Sequence, residues 1–315
     1  NILNQLKLFF INLFDILFKL MKVFKVPKNL KIYREVDYPP HNKSFNLEGE
    51  VSKRLIKKSK QIKTDLTFLP IQWTNYFMRY SKNPEEIKKF YDKKIKNNKK
   101  SFFTVIQYAD GNLIETSGIT YFAASGLNNK LTGPDTTCIE IPLLADKHVV
   151  SKNKNSEKKY LGSFIGRNTH PIRKKLSESL KNNPSFYFDL FDEPSISKER
   201  QKKFLDLMDS SYFALCPRGY GVTSYRLYEA FEFGVVPVYV SREDQYYLPF
   251  KDVIDWEKLC VFHDPEKEDN LENKLEKLIS TEKYNEMVDY GKYCNENYFN
   301  FEFLTNYIIQ KVEKF

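Results

Sequence analysis

The chain has 315 residues, of which 41% are hydrophobic, an amount sufficient for two packed domains and too high for a disordered protein. Its net charge of +9 would suit a nucleic-acid partner, but the lysines are scattered and often stand beside asparagine, so no nucleic acid is predicted. The four cysteines form no C-x-x-C pair, which argues against a zinc or redox motif and favours free thiols in a reducing compartment.

Residues 1–30 form a predicted lead segment. Its apolar stretch, residues 2–24, is interrupted by Lys7, Asn12, Asp15 and Lys19, so a clean transmembrane helix is not predicted. Three interpretations stay open: an amphipathic helix in peripheral contact with a membrane, packing on the core of the next domain, or a degenerate signal anchor. The predicted location is cytoplasmic or peripheral on a membrane, with a Golgi-type lumen as the remaining alternative.

Residues 31–150 are predicted to form an N-terminal α/β domain. A charged helix is expected over Glu48–Lys63. Short runs rich in aromatic and β-branched residues predict buried strands at Thr67–Leu69, Phe102–Tyr108, Ile119–Ala123 and Cys138–Leu143. The polar stretch Lys147–Lys158 predicts a linker to the second domain.

Residues 151–315 are predicted to form the second α/β domain. The apolar run Tyr212–Cys216 predicts a buried strand, and Ser224–Phe233 has the spacing of a helix that Gly234 ends. Val235–Val240 predicts another buried strand. A strand, a glycine loop, a helix and a strand in this order can place an anion at the helix N-terminus.

The loop between this strand and helix has groups suited to phosphate. Gly219 and Gly221 would let the backbone approach a ligand or adopt positive φ. Arg218 offers phosphate oxygens a planar, permanently charged fork. Thr223 or Ser224 is the expected N-cap of the helix. A glycine turn that binds nothing is the alternative.

The helix itself adds two charged candidates. Arg226 lies just inside the helix and is a second possible cation for phosphate. Glu229, one turn further, would offer a carboxylate acceptor to the ribose hydroxyls, so that the site suits a nucleoside diphosphate. The alternative is a surface ion pair between the two, worth under about 1 kcal/mol.

This segment resembles the signature block of the exostosin-type glycosyltransferases, glycosyltransferase family 47. The matching residues are Cys216-Pro217-Arg218-Gly219-Tyr220-Gly221, Ser224, Arg226-Leu227, Glu229-Ala230-Phe231-Glu232, Gly234, Pro237-Val238 and Leu248-Pro249-Phe250. Two flanking stretches also match: Phe164-Ile165-Gly166-Arg167 with Ile172-Arg173 and Leu176, and Val253-Ile254-Asp255-Trp256 with Val261. Tyr220 departs mildly from the family, which has tryptophan or a similar aromatic residue there. The resemblance extends from Lys159 to Phe315.

The resemblance implies an α/β fold of the GT-B type, with two doubly wound domains facing each other across a cleft. The C-terminal domain would bind a nucleotide sugar, with UDP as the expected nucleotide, and the N-terminal domain would present a glycan acceptor. Transfer would invert the anomeric centre without a bound metal or other cofactor, because Arg218 and Arg167 would neutralise the leaving diphosphate. Tyr220 joins the predicted nucleotide-sugar site. The last helix, Phe301–Phe315, is expected to cross back to the N-terminal domain.

Inverting transfer requires a base that accepts the proton of the acceptor hydroxyl. Asp110 is the first candidate, because it closely follows a predicted strand and precedes Gly111, at the edge where open α/β sheets bind ligands. An ordinary Asp-Gly turn is the alternative. Asp135, Asp146 and His148 are weaker candidates.

Trp73 and Tyr76 are candidates for stacking on the acceptor sugar, with a place in the core as the alternative for Trp73. The predicted function is that of a hexosyl- or pentosyltransferase. The alternative is a GT-B-like scaffold or glycan-binding subunit without catalytic activity, which the presence of both Arg218 and Glu229 disfavours.

Overall fold

A computed structural model describes residues 19–31, 46–126, 131, 135–145, 157–193, 197–267 and 270–315. These residues contain two five-stranded sheets, and every strand pairing within them is parallel. The predicted α/β class is therefore confirmed. Residues 1–18 of the lead segment and 147–156 of the predicted linker lie outside the described residues.

The first sheet, with its helices, is called here the N-terminal unit. Its strands run in chain order: β1 (Lys22–Val23), β2 (Thr67–Phe68), β3 (Phe102–Ile106), β4 (Ile119–Ala123) and β5 (Thr137–Glu140). Its helices are α1 (Leu47–Lys58), α2 (Trp73–Arg79) and α3 (Glu85–Lys94). The end of the lead segment belongs to this unit, because β1 pairs with β2 and Met21 and Leu30 are buried.

Strand β3 ends two residues earlier than predicted. All five of its residues are buried, as expected for a parallel strand covered on both faces. Gln107 leaves the ladder because its backbone N–H donates to the side chain of Glu48, at the start of α1. A long-range side-chain acceptor of this kind is not visible in a strand pattern.

The second sheet belongs to the C-terminal unit and has the order β10-β9-β8-β6-β7. Its strands are β6 (Tyr160–Arg167), β7 (Phe186–Phe191), β8 (Ser211–Pro217), β9 (Val236–Val240) and β10 (Val261–His263). The strand order reverses between β6 and β8, which is the doubly wound pattern. The described strands of the N-terminal unit show no such reversal.

The helices of the C-terminal unit are α4 (Pro171–Leu180), α5 (Lys198–Asp209), α6 (Tyr225–Glu232), α7 (Leu271–Ile279), α8 (Glu282–Asn297) and α9 (Phe301–Val312). Helix α6 ends where the sequence predicts, since Gly234 follows with φ +62°. Helix α9 packs on α1, and its Glu302 carboxylate pairs with Arg54 and Lys58. The chain therefore returns to its N-terminal unit.

The two units share a hydrophobic core. One apolar cluster combines Leu47 and Phe122 of the N-terminal unit with Leu227 and Tyr239 of the C-terminal unit. Each unit also has a separate core of its own on the other face of its sheet. Among the helices in the described residues, none is both long and apolar enough to cross a membrane.

Candidate functional site

The candidate site lies at the strand reversal of the second sheet. Strands β6 and β8 are hydrogen-bonded neighbours, so the β6–α4 loop (residues 168–170) and the β8–α6 loop (residues 218–224) leave the same edge side by side. In open α/β sheets this crevice at the carboxyl ends of the strands is where ligands bind. Arg167, at the end of β6, therefore lies on the strand next to the one that leads into the glycine loop, and a shared ligand stays a prediction.

Arg218 begins the β8–α6 loop and is 7% exposed. Its backbone N–H donates to Val240, and its Nη1 donates to Oε1 of Gln245 at 2.9 Å. Its Nε is buried and has no hydrogen-bond partner. Burial lowers the pKa of Arg218, although a guanidinium keeps its charge at any physiological pH. The side chain is thus held in place with one donor unused.

Arg167 is the last residue of β6 rather than part of a turn. Its Nε is also buried without a partner, and so is the hydroxyl Oγ1 of nearby Thr169. Oγ1 of Thr223, in the β8–α6 loop, is a fourth such atom. An unsatisfied buried polar group costs about 1–3 kcal/mol, so four of them at the end of β6 and in the two adjacent loops require an explanation. A bound anion that accepts from the two arginines would supply one.

His170 lies beside these loops in positively charged surroundings. Its Nδ1 accepts from the backbone N–H of Ile172 at 3.2 Å and so caps α4. Burial, followed by the charges of Arg218 and Arg173, lowers the pKa of His170 below its usual value of 6.5. The imidazole is therefore neutral at pH 7, and the net field at this edge favours an anion.

The two glycines of the loop serve protein contacts. Neither glycine has positive φ, so the expectation that these positions need glycine for a positive φ is wrong. A Cβ at Gly219 would lie 2.9 Å from Nη2 of Arg173 and 3.2 Å from Oγ1 of Thr169. A Cβ at Gly221 would overlap Oγ of Ser125, in the N-terminal unit. The closest neighbours of both positions are therefore protein atoms.

Tyr220, between these glycines, is 60% exposed although both glycines are buried. Its ring projects from the loop and has a face available to a ligand. The structure is compatible with the predicted place of Tyr220 in a sugar-binding site.

Ser224 is the N-cap of α6, as predicted, but its side chain makes no capping hydrogen bond. Its hydroxyl is half-buried at the helix N-terminus, where the helix dipole favours negative charge. The role of this helix end in binding a phosphate stays a prediction.

Arg226 differs from the prediction. Its guanidinium stacks over Phe164 at 4.3 Å and over Phe204 at 5.2 Å, and it donates to the carbonyl of Ile165. Burial lowers its pKa, and Glu229 opposes that effect. The Arg226 guanidinium is thus occupied by two rings and a backbone carbonyl, and Glu229 is itself only 6% exposed. The ribose role of Glu229 stays a prediction.

Arg173 is the residue that the sequence interpretation missed. It is 8% exposed and donates to three backbone carbonyls in the two loops: Nε to Arg218 (2.9 Å), Nη1 to Arg167 (2.7 Å) and Nη2 to Pro217 (3.2 Å). Burial, followed by the charge of Arg226, lowers the pKa of Arg173 to about 9. Arginine is rarely buried, so composition offers no signal for such a role.

Asp110 lies beyond the end of β3, before Gly111, which has φ +70°. Nζ of Lys82 is 2.8 Å from its carboxylate, and this contact raises the pKa of Lys82. Gly111 packs against Gly126, whose neighbour Ser125 packs against Gly221. Gly111, the residue after Asp110, is thus linked to Gly221 through residues 125 and 126, and the role of Asp110 as a base stays a prediction.

Trp73 and Tyr76 are not placed as acceptor platforms. Both lie in α2 rather than after a strand, and each is 1% exposed. Nε1 of Trp73 donates to Oγ1 of Thr104 at 2.9 Å, which satisfies its one polar atom inside the core. Neither ring has a face open to a sugar, so the core interpretation replaces the stacking one.

Glu48 is a second buried charged group that the sequence did not reveal. Its carboxylate accepts from the backbone N–H and hydroxyl of Thr74 and from the backbone N–H of Gln107. Burial raises its pKa to about 7 despite these bonds. Nε2 of Gln107 in turn donates a hydrogen bond to the hydroxyl of Tyr225, the first residue of α6, at 2.6 Å. Gln107 thus links Glu48 to the N-terminus of α6, which borders the candidate site.

The remaining candidates are less informative. Asp135 is exposed and has φ +56°, whereas Asp146 and His148 lie outside the described residues. Within the described part of the chain, no group of three or more His, Cys, Asp or Glu side chains could hold a metal ion.

The family comparison agrees with this geometry. The family model described as the Exostosin GT47 domain matches residues 96–278, more than half of the chain. The chain belongs to this family. The matched range contains both loops, Asp110 and β3 to β10, so the resemblance predicted from the glycine loop is confirmed.

Curated relatives match over shorter stretches. A probable glucuronosyltransferase of Oryza sativa subsp. japonica is 41% identical over 103 residues, 33% of this chain and 21% of the relative. A probable β-1,4-xylosyltransferase of Arabidopsis thaliana is 41% identical over 85 residues, 27% of this chain and 18% of the relative. The chain thus matches about a fifth of the length of these relatives. Among solved structures, a glycosyltransferase from Rickettsia africae aligns with TM-score 0.42 and 10% identity, covering 89% of this chain and 84% of that one.

Proposed function

We propose that this protein transfers a sugar from a UDP-linked donor to a hydroxyl group of a glycan, with inversion and without a metal ion. The observation that carries the proposal is the pair of arginines at the strand reversal. Arg167 at the end of β6 and Arg218 at the start of the β8–α6 loop each have a buried Nε without a protein partner, and this loop leads into the N-terminus of α6. This set of donors suits a diphosphate.

The leaving group explains why two arginines are useful. When the bond between the anomeric carbon and the diphosphate breaks, negative charge develops on the diphosphate oxygens. Before the reaction, Arg173 holds the backbone of Arg167 and Gln245 holds the guanidinium of Arg218, so the two arginines would stabilise this charge with little reorganisation. Ser224 and the first turn of α6 add a hydroxyl and a favourable dipole.

The proton of the acceptor is assigned to Asp110. The acceptor oxygen attacks the anomeric carbon and forms the new glycosidic bond, while Asp110 takes the proton and UDP departs. The contacts from Gly111 through Gly126 and Ser125 to Gly221 support this role, because they connect the turn after Asp110 with the donor loop of the other unit. Lys82 would orient the carboxylate before the acceptor arrives.

The first donors to test follow from the names of the relatives. A probable glucuronosyltransferase and a probable β-1,4-xylosyltransferase are both similar to this chain. We therefore propose a hexuronosyl or pentosyl donor, and UDP-glucuronic acid and UDP-xylose are the first two candidates.

The test is a thermal-shift panel with UDP, GDP, CMP and the two UDP-sugars in the presence of EDTA. Ligand at about 100 times its dissociation constant adds about 2.7 kcal/mol to the free energy of unfolding, a rise of several degrees. The rise should occur with UDP, persist in EDTA and disappear in Arg218→Ala. Arg242→Ala, which alters a half-exposed arginine after β9, is the matched control.

A wild-type protein that responds to no nucleotide would contradict the proposal and favour a binding or scaffold role. If EDTA abolished the rise in the unfolding midpoint that UDP causes, the proposal that the enzyme needs no metal ion would be contradicted, but the proposed UDP site would not.

A further inference from the structure

We propose that Arg173 is a positioning residue for the anion site: it fixes the β6–α4 and β8–α6 loops at the separation that lets Arg167 and Arg218 face one diphosphate. This inference rests on the proposed function. Arg173 does not need to touch the ligand, because its effect passes through the backbones of the two residues that would.

The hydrogen bonds show how one side chain spans both loops. Nε and Nη2 donate to the carbonyls of Arg218 and Pro217 at the end of β8, and Nη1 donates to the carbonyl of Arg167 at the end of β6. The guanidinium is planar and rigid, so these three acceptors are held in one plane at fixed spacing. The two strand ends cannot separate without breaking at least one bond to a charged donor.

The packing around Arg173 restricts the conformation of its side chain. Its guanidinium lies over Phe164 at 5.2 Å, and Arg226 covers the same ring at 4.3 Å. Phe164 itself stacks on Phe188, with ring centroids 4.7 Å apart. The side chain is anchored from its apolar side while its donors point to the loops.

Gly219 fits the same arrangement. A Cβ at this position would lie 2.9 Å from Nη2 of Arg173, a distance that ordinary contacts do not reach. A side chain at residue 219 would therefore push the guanidinium away from the carbonyl of Pro217. The absence of a side chain at Gly219 and the position of Arg173 depend on each other.

A lysine at residue 173 could not reproduce these hydrogen bonds, because a single ammonium group reaches fewer of the three carbonyls. The carbonyls at the ends of β6 and β8 would lose part of their shared donor, so Arg173→Lys should raise the dissociation constant for UDP about tenfold or more. Affinity for uridine, which has no phosphate, should change less than threefold. A loss confined to the phosphorylated ligand distinguishes positioning from general damage.

The experiment is calorimetric titration of the full chain with UDP, pyrophosphate and uridine. The variants are Arg173→Lys, Arg173→Met and Gly219→Ala, and the control is Lys174→Met, which removes an exposed cation from the next position of α4. We expect weaker UDP and pyrophosphate binding in the first three variants and wild-type values in the control. Gly219→Ala keeps every buried charge, so it tests the inference even if Arg173→Met does not fold.

Each other outcome has a defined meaning. A folded Arg173→Lys or Gly219→Ala protein with wild-type affinity for UDP would overturn the positioning role. An equal loss for uridine and UDP would overturn it as well, because it would indicate a merely structural residue. A wild-type protein that binds neither UDP nor pyrophosphate would instead refute the proposed function.

Discussion

Ser125, two residues beyond β4, packs so closely on Gly221 that a Cβ at residue 221 would overlap its Oγ and lie 2.6 Å from its carbonyl oxygen. The same carbonyl accepts a hydrogen bond from the backbone N–H of Val222 at 3.2 Å. The loop that carries the candidate phosphate site is therefore also a contact surface between the two units.

This contact predicts that Gly221→Ala separates the units locally. Overpacking of this kind costs about 1–3 kcal/mol, so the midpoint of thermal unfolding should fall. Sugar transfer should fall further than UDP affinity, because the candidate base lies across the contact. Ser125→Ala removes only Oγ and should be tolerated, and the double variant should recover part of the loss, since the carbonyl oxygen remains. Wild-type stability in Gly221→Ala would show that the loop moves away at little cost.

Asp110→Asn should keep UDP affinity within about twofold and reduce the rate of transfer by about 10²-fold or more, the usual scale for loss of a general base. Transfer is measured with the donor identified in the nucleotide panel, and UDP affinity by titration. Asp92→Asn is the control, because Asp92 is an exposed acid on α3 that pairs only with neighbouring lysines of the same stretch. Near-normal turnover in Asp110→Asn would move the search for the base to another residue.

Glu48 should make stability depend on pH. Its folded-state pKa, about 7, lies above the ordinary value of 4.5, so the folded protein binds the proton more tightly than the unfolded chain. The stability that this proton provides is complete below pH 4.5 and is lost as the pH rises to about 7, with a total on the order of 3 kcal/mol.

The measurement for Glu48 is chemical unfolding of the wild type and of Glu48→Gln between pH 4.5 and 8. The variant cannot ionise at this position, so its stability should fall less steeply across the interval. Glu50→Gln on the same helix is the control, because Glu50 is partly exposed and pairs with Lys53. Parallel curves for the wild type and Glu48→Gln would contradict the prediction.

Trp73 and Tyr220 should respond to mutation in opposite ways. Trp73→Ala removes a fully buried ring and should destabilise the protein by about 3–5 kcal/mol. Tyr220→Ala removes an exposed ring and should change stability by less than about 0.5 kcal/mol. If the Tyr220 ring contacts a sugar, the KM for one substrate should rise while the Tm stays constant. An unchanged KM for both substrates would remove Tyr220 from the site.

Several features of the fold follow from local sequence alone. Apolar runs predicted the strands β4, β8 and β9 to within one residue at each end, and Gly234 ends α6 as expected. These features depend on neighbours in the chain, so their signals are local.

The contacts that the sequence does not reveal have a different cause. Arg226, Arg173 and Glu48 are charged side chains whose positions depend on rings or backbone groups far away in the sequence. Trp73 likewise finds its hydrogen-bond partner on β3. The sequence predicts that an anion site exists at the glycine loop, but it does not predict which arginine faces the anion and which one supports the loop.

The return of α9 to α1 has a consequence for biosynthesis. The hydroxyl of Thr64 donates to the carbonyl of Val312, and the backbone N–H of Lys63 donates to Glu313, across 248 and 250 residues respectively. At an elongation rate of about 5–20 residues per second, the ribosome needs on the order of 10 to 50 seconds to span this interval. During that time α9 has not yet been made. The apolar surface of the N-terminal half on which α9 later packs is therefore exposed. Chaperone binding to ribosome-bound chains should therefore persist until the last helix has emerged.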